Sequence, residues 1–135
     1  MIRVIKHLLT PKIIRFFAVL YTITIIYGSL IKTSNIPELY LGLSDKVIHA
    51  VAYFFLSCIW FFGVFSKKSN FFKTIFAVAG IIFIFGIIIE VLQEVFSTGR
   101  QADFYDVMAN CVGILAASVL IISLNKILFR LNFEN

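Results

Sequence analysis

The stretch RQADFYDVMANCVG, from Arg100 to Gly113, decides the fold of this chain. The sequence beyond it stays apolar as far as Leu124, so the stretch opens a segment long enough to cross a bilayer. Asp106, Asn110 and Gly113 are spaced by four and three residues, which places them on one face of a helix. A carboxylate and an amide on one stripe of a membrane-spanning helix are costly, and this predicts polar partners on neighbouring helices.

The composition is typical of a membrane protein. Of the 135 residues, 61% are hydrophobic and 14% are charged, whereas soluble domains have about 45–50% and about 25%. The mean hydropathy is +1.00. A chain of this length cannot bury so much apolar surface in a water-soluble core, so lipid must solvate most of it. The formal charge of +5 does not indicate nucleic-acid binding, because the lysines stand at the ends of apolar segments.

Four apolar segments of spanning length follow one another. We interpret the first as a span rather than a signal peptide, because it is long for a signal sequence and no small-residue cleavage site follows it. We predict an all-α fold, an integral membrane four-helix bundle that forms a single domain over residues 1–135. Ser44 is predicted to cap the second helix. The spans are predicted at residues 13–31, 47–65, 74–95 and 104–124.

The basic residues predict the orientation in the membrane. Nine lie on the N-terminal flank, in the turn after the second span and in the tail, whereas Lys32, Lys46 and Arg100 are the three on the other side. The positive-inside rule therefore predicts a multi-pass protein of the cytoplasmic (inner) membrane with both termini in the cytoplasm. Six of the seven acidic residues cluster at or near the outer ends. Acidic residues contribute little to orientation, so this clustering needs a separate reason.

Cysteine labelling tests this orientation. A cysteine placed at Ser34 or Ser97 should react with a membrane-impermeant thiol reagent added from outside, and one placed at Ser69 should not. Reaction at position 69 would reverse the orientation and move the polar cluster to the other leaflet.

Polar side chains of three spans are predicted to meet near the outer face. Asp45 and His49 are four residues apart at the start of the second span, and Glu90 and Gln93 are three apart near the end of the third. Short connections make these spans antiparallel neighbours, so the side chains should reach a similar depth. The predicted ligand-binding residues are Asp45, His49, Tyr53, Glu90, Gln93, Arg100, Asp106 and Asn110.

This pattern resembles the VanZ-like family of small bacterial membrane proteins over roughly residues 44–117. Ala117 stands where that family often has a second glycine, and Asp103 stands where it commonly has a small polar residue, so a site role for Asp103 stays open. The resemblance implies a four-helix membrane protein connected with teicoplanin resistance, and it supplies no reaction. The matching residues are Asp45, Lys46 and His49 with Tyr53, then Glu90 and Gln93, then Arg100, Asp106, Asn110 and Gly113.

Three functional hypotheses remain open. In the first, the cluster binds an envelope lipid, a cell-wall precursor or a lipoglycopeptide without turning it over. In the second, His49, Glu90 and Asp106 are catalytic acid–base groups that act on a phosphorylated or amphipathic envelope lipid, and Arg100 holds its anionic group. In the third, the polar network only joins helices and a partner protein carries the function.

The simplest structural alternatives apply to single residues. Asp45 can serve as a helix-start carboxylate, His49 as a hydrogen-bonding residue between helices, and Glu90 as half of a clamp with Arg100. No cofactor is predicted, and no sequence spacing is typical of a metal site. In one variant of the enzyme hypothesis, His and carboxylate groups hold a divalent ion. The expected partners are a membrane lipid or cell-wall precursor, and the oligomeric state is open.

Overall fold

Four antiparallel helices make up the part of the chain that a computed structural model describes, residues 10–30, 45–66, 68–96 and 103–125. Each helix is long and apolar enough to cross a membrane, which confirms the all-α membrane fold. The helix bounds lie within three residues of the predicted spans. Ser44, the predicted cap of the second helix, and Arg100, the predicted partner of Glu90, lie outside the described residues. The orientation in the membrane and the single domain stay predictions. The helices are α1 Pro11–Leu30, α2 Asp45–Val64, α3 Phe71–Phe96 and α4 Phe104–Ser123.

The antiparallel order gives the bundle two chemically different ends. The described carboxylates all belong to one end, here called the polar end, where α2 and α4 begin and α3 finishes. Lys68 and Lys73 mark the opposite, basic end. There Asn70 starts α3, because its Oδ1 accepts the backbone N–H of Lys73 at 3.0 Å.

Helix α2 lies at the centre of the bundle and makes its most extensive contact with α4. The two backbones meet at Gly113, where an added Cβ would collide with the carbonyl oxygen of Ala50 and lie 2.9 Å from the backbone nitrogen of Phe54. One turn further along, Ala117 is completely buried. Small residues allow this close approach, and it holds the first turns of α2 and α4 side by side.

Helix α1 is attached to α2 by two hydrogen bonds from aromatic side chains. Tyr21 Oη donates to the carbonyl oxygen of Ala52 at 3.3 Å, and Trp60 Nε1 donates to Thr22 Oγ1 at 3.1 Å. Large apolar side chains such as Phe76, which is 74% exposed, cover the outside of the bundle, as expected where the surrounding solvent is lipid. Two buried apolar clusters fill the interior, Tyr53, Leu56, Ile82 and Ile114, and towards the basic end Phe61, Phe71, Ile75 and Ile121.

Candidate functional site

His49 lies at the centre of the polar end, where side chains from α2, α3 and α4 converge. Its Nδ1 is 3.1 Å from Asn110 Oδ1 and 3.7 Å from Glu90 Oε1. Its Nε2 is 3.9 Å from Asp106 Oδ2 and 4.0 Å from Asp45 Oδ1. The structure therefore brings together five of the residues singled out in the sequence, and it does so because their helical spacing puts them on facing stripes.

The two ring nitrogens of His49 face different groups. The amide oxygen of Asn110 accepts a hydrogen bond from Nδ1, and Nε2 faces the carboxylates of Asp45 and Asp106. The separations of 3.9 and 4.0 Å from Nε2 to these carboxylates exceed the length of a hydrogen bond.

The cluster forms a well with an exposed rim and a buried floor. The side chains of Glu90 and Asp106 are only 4% and 5% exposed, whereas that of Asp45 is 52% exposed. Charges at such a depth are stable only with close partners. We call this group of residues the polar well; its rim consists of Asp45, Lys46 and Asp103, and its floor of His49, Glu90, Asp106 and Asn110.

Lys46 also belongs to the cluster, although it is among the residues that match the VanZ-like family and not among the predicted ligand-binding residues. Its Nζ lies 3.0 Å from Asp103 Oδ2 and 3.4 Å from Asp106 Oδ1, and it bridges α2 to the start of α4. The signal was present in the sequence, because Lys46 stands between Asp45 and the turn that carries His49 and is one of only three basic residues expected on that side.

Asp103 has two contacts at the start of α4, a helix cap and an ion pair with Lys46. It caps α4, because its Oδ1 accepts the backbone N–H of Tyr105 at 2.8 Å. The hydrogen bond from Lys46, followed by that from the Tyr105 N–H, lowers the pKa of the Asp103 carboxyl below its ordinary value of 3.8. The carboxylate is thus the stable form at neutral pH.

Replacing Asp103 separates its two roles. Asp103→Ala should lower the melting temperature in detergent at neutral pH, whereas Asp103→Asn should retain the cap and lose only the ion pair with Lys46. Because folding lowers the Asp103 pKa, its stabilisation is full at neutral pH and is lost as the pH falls through that lowered pKa. The deficit of the alanine variant should therefore shrink in acid. A deficit that is constant with pH would contradict the assigned ion pair.

Gln93 and Tyr53, two further predicted ligand-binding residues, are both buried. Gln93 is buried and its Nε2 donates to the carbonyl oxygen of Ser29 at 3.0 Å, so it fastens α3 to α1. Tyr53 Oη and Asn110 Nδ2 are buried without a hydrogen-bond partner among the described residues. Both lie 3.4 Å from the position that a Cβ of Gly86 would occupy, so the two donors point at one small region beneath the floor.

Arg100 lies outside the described residues, and its pairing with Glu90 stays a prediction. Within the described part of the chain, Glu90 Oε1 has His49 Nδ1 at 3.7 Å. The carboxylate of Glu90 is thus already close to an imidazole, whichever position Arg100 takes.

Three residues of the well can hold a cation. One ligand atom from each of Asp45, His49 and Asp106 lies within 4.8 Å of the other two. Tetrahedral metal ligands at about 2.1 Å stand about 3.4 Å apart, whereas three hydrogen bonds of about 2.8 Å from one ammonium place their acceptors about 4.6 Å apart. The distances from His49 Nε2 to Asp106 Oδ2, 3.9 Å, and to Asp45 Oδ1, 4.0 Å, fall between these two values. Lys46 Nζ, bound to the other oxygen of Asp106, repels a divalent ion twice as strongly as a monovalent one at equal distance.

Fold and site together define a multi-pass membrane protein with a buried, carboxylate-rich well at one end of a four-helix bundle. The sequence model of the VanZ/LLP1 family matches residues 12–129, and the chain belongs to this family. Comparisons with curated proteins and with solved structures found no match.

Proposed function

We propose that this VanZ-family protein resides in the inner membrane and that its polar well, at the outer face, binds the head group of an envelope amphiphile. An envelope lipid, a cell-wall precursor and a lipoglycopeptide are the ligand classes, and capture of such a molecule would give tolerance to teicoplanin. The observation that carries the proposal is the convergence of Asp45, His49 and Asp106 in the polar well, where one ligand atom of each lies within 4.8 Å of the other two.

The charge of the polar well favours a cation as the recognised group. The well as defined above contains four carboxylates and one lysine, and Lys46 pairs with Asp103. His49 Nε2 lies beside one carboxylate oxygen of Asp45 and one of Asp106. A primary ammonium can donate hydrogen bonds to both carboxylates, and its single charge is compatible with Lys46 nearby. The ligand class is therefore an amphiphile whose head group carries a primary ammonium.

The unpartnered donors argue against a purely structural network. Polar groups buried only for packing are nearly always satisfied, because an unsatisfied one costs stability. Tyr53 Oη and Asn110 Nδ2 are both buried and lack an acceptor among the described residues. These two donors therefore need an acceptor that is not among the described residues.

Lipid retention tests the proposal directly. The full chain, purified in detergent, is offered phosphatidylethanolamine or phosphatidylcholine of equal chain length, and bound lipid is counted by native mass spectrometry. Phosphatidylethanolamine should be retained at least about ten-fold better, the factor that ~1.4 kcal/mol represents, because the methyl groups of choline replace all three N–H donors. Teicoplanin and its N-acetylated form make the corresponding pair for the lipoglycopeptide. Equal retention within both pairs would refute recognition of an ammonium.

The enzymatic alternative has one observation in its favour. His49 stands within 4.0 Å of the carboxylates of Asp45, Glu90 and Asp106, an arrangement that can move protons or, with a divalent ion, activate water. Release of a head group from a phosphorylated envelope lipid, lost in Asp106→Asn or after chelation, would favour catalysis over binding. An unchanged lipid after prolonged incubation would favour binding.

A further inference from the structure

An apolar groove opens towards the basic end of the bundle. It has a volume of about 590 Å³ and lies between α1, α2 and α3, within the range of sites that hold small amphipathic molecules. Trp60 and Ile82 line its inner wall, and Ile81, which is 68% exposed, lies on its open side. The groove therefore faces the lipid.

The dimensions of the groove match one acyl chain of a single leaflet. Its lining follows α3 from Lys73 to Phe85, which corresponds to about 18 Å along a helix. Half of a bilayer core measures about 15 Å. Most of the lining is aliphatic or aromatic. Of its five polar residues, Thr22 lies in the middle of α1, and Ser69, Asn70, Lys73 and Thr74 lie at the basic end.

The charges around the groove favour an anionic lipid. Lys73 is exposed at the mouth of the groove, and every described carboxylate belongs to the polar end of the bundle. The described residues thus offer Lys73 no counter-ion, whereas a lipid phosphate at the membrane surface lies at the depth of its ammonium.

We propose that this groove binds an anionic glycerophospholipid of the leaflet at the basic end, which the lysine distribution predicts to be the cytoplasmic one. One acyl chain lies along α3 against Trp60, and the phosphate pairs with Lys73. This lipid site is separate from the polar well and does not depend on the function proposed for the well.

Trp60 is the only tryptophan of the chain, and it reports on the groove. The full chain is reconstituted in phosphatidylcholine vesicles that contain either phosphatidylglycerol or phosphatidylcholine with acyl chains brominated near the head group. Fluorescence quenching then gives the relative affinity of each lipid at Trp60. We expect phosphatidylglycerol to bind about five-fold more tightly, the effect typical of one lysine at a membrane surface.

Matched variants separate the two parts of the site. Lys73→Gln should bring the affinity ratio to about one, whereas Lys73→Arg and Lys12→Gln, which changes an exposed lysine at the same end outside the groove lining, should leave it unchanged. Ala77→Phe fills the groove and should reduce quenching by both lipids, and Ala116→Phe on the exposed face of α4 should not.

Three results would overturn the proposal. A ratio of one in the unaltered protein, or a preference that survives Lys73→Gln, would show that no anionic lipid is selected there. Quenching in Ala77→Phe equal to that in Ala116→Phe would show that no acyl chain occupies the groove. Insensitivity of Trp60 to both brominated lipids would mean that protein, such as a second copy of the chain, covers it.

Discussion

Gly113→Ala is expected to abolish the stable folded state in detergent, although it adds a single methyl group. The new Cβ would collide with the carbonyl oxygen of Ala50 and lie 2.9 Å from the backbone nitrogen of Phe54. Neither atom is the end of a flexible side chain, so the two helices must separate. Overpacking typically costs about 1–3 kcal/mol, and a clash with backbone belongs at or above the upper limit. The thermal unfolding midpoint and the fraction of monodisperse protein measure the effect.

Gly80 provides the matched control on α3. An added Cβ there meets nothing within 4 Å, so Gly80→Ala should leave the midpoint unchanged or raise it through better helix propensity. If Gly113→Ala behaves like Gly80→Ala, α2 and α4 do not approach as closely as described. The contact between His49 and Asn110 would then lose its support, because Asn110 precedes Gly113 by one turn of the same helix.

The helices could be predicted from the sequence because membrane insertion depends on local properties. A run of about 20 apolar residues is enough to define a span, and the basic residues and helix breakers set its limits. The largest difference is at the start of α3 and has a local cause. The predicted span begins at residue 74, whereas the helix begins at Phe71, directly after its cap Asn70. A cap is decided by one side-chain hydrogen bond, which composition does not reveal.

The site was predictable where it depends on helical periodicity and not where it depends on how helices pack. Asp45 with His49 and Asp106 with Asn110 each follow from a four-residue spacing on one helix. The bridge from Lys46 to Asp103 and Asp106 joins residues that are far apart in the chain, and so does the bond from Gln93 to Ser29. Both depend on the rotation of one helix against another, which is set by close contacts such as that at Gly113.

Glu90→Gln/Asp106→Asn is expected to fold and insert normally and to lose the function of the well. The amides keep the shape of the carboxylates and much of their hydrogen bonding, and they remove two charges whose burial is costly. Lys46 still pairs with Asp103 at 3.0 Å. A ligand ammonium, however, loses the charge that holds it, and binding should fall by at least about ten-fold. Glycopeptide tolerance should drop to the level of the deletion strain, and the unfolding midpoint should stay constant or rise.

A double variant that keeps its function would favour the structural interpretation of the network. If the network only joins helices, the neutral isosteres satisfy it as well as the carboxylates do, and both stability and phenotype should survive. Glu94→Gln is the control for charge alone, because Glu94 is exposed one turn beyond Glu90 on the same helix. It removes a carboxylate from the same end of the bundle without touching the well. A loss in the double variant together with full activity in Glu94→Gln would assign the function to the buried carboxylates themselves, whereas equal losses would assign it to the general negative charge of the polar end.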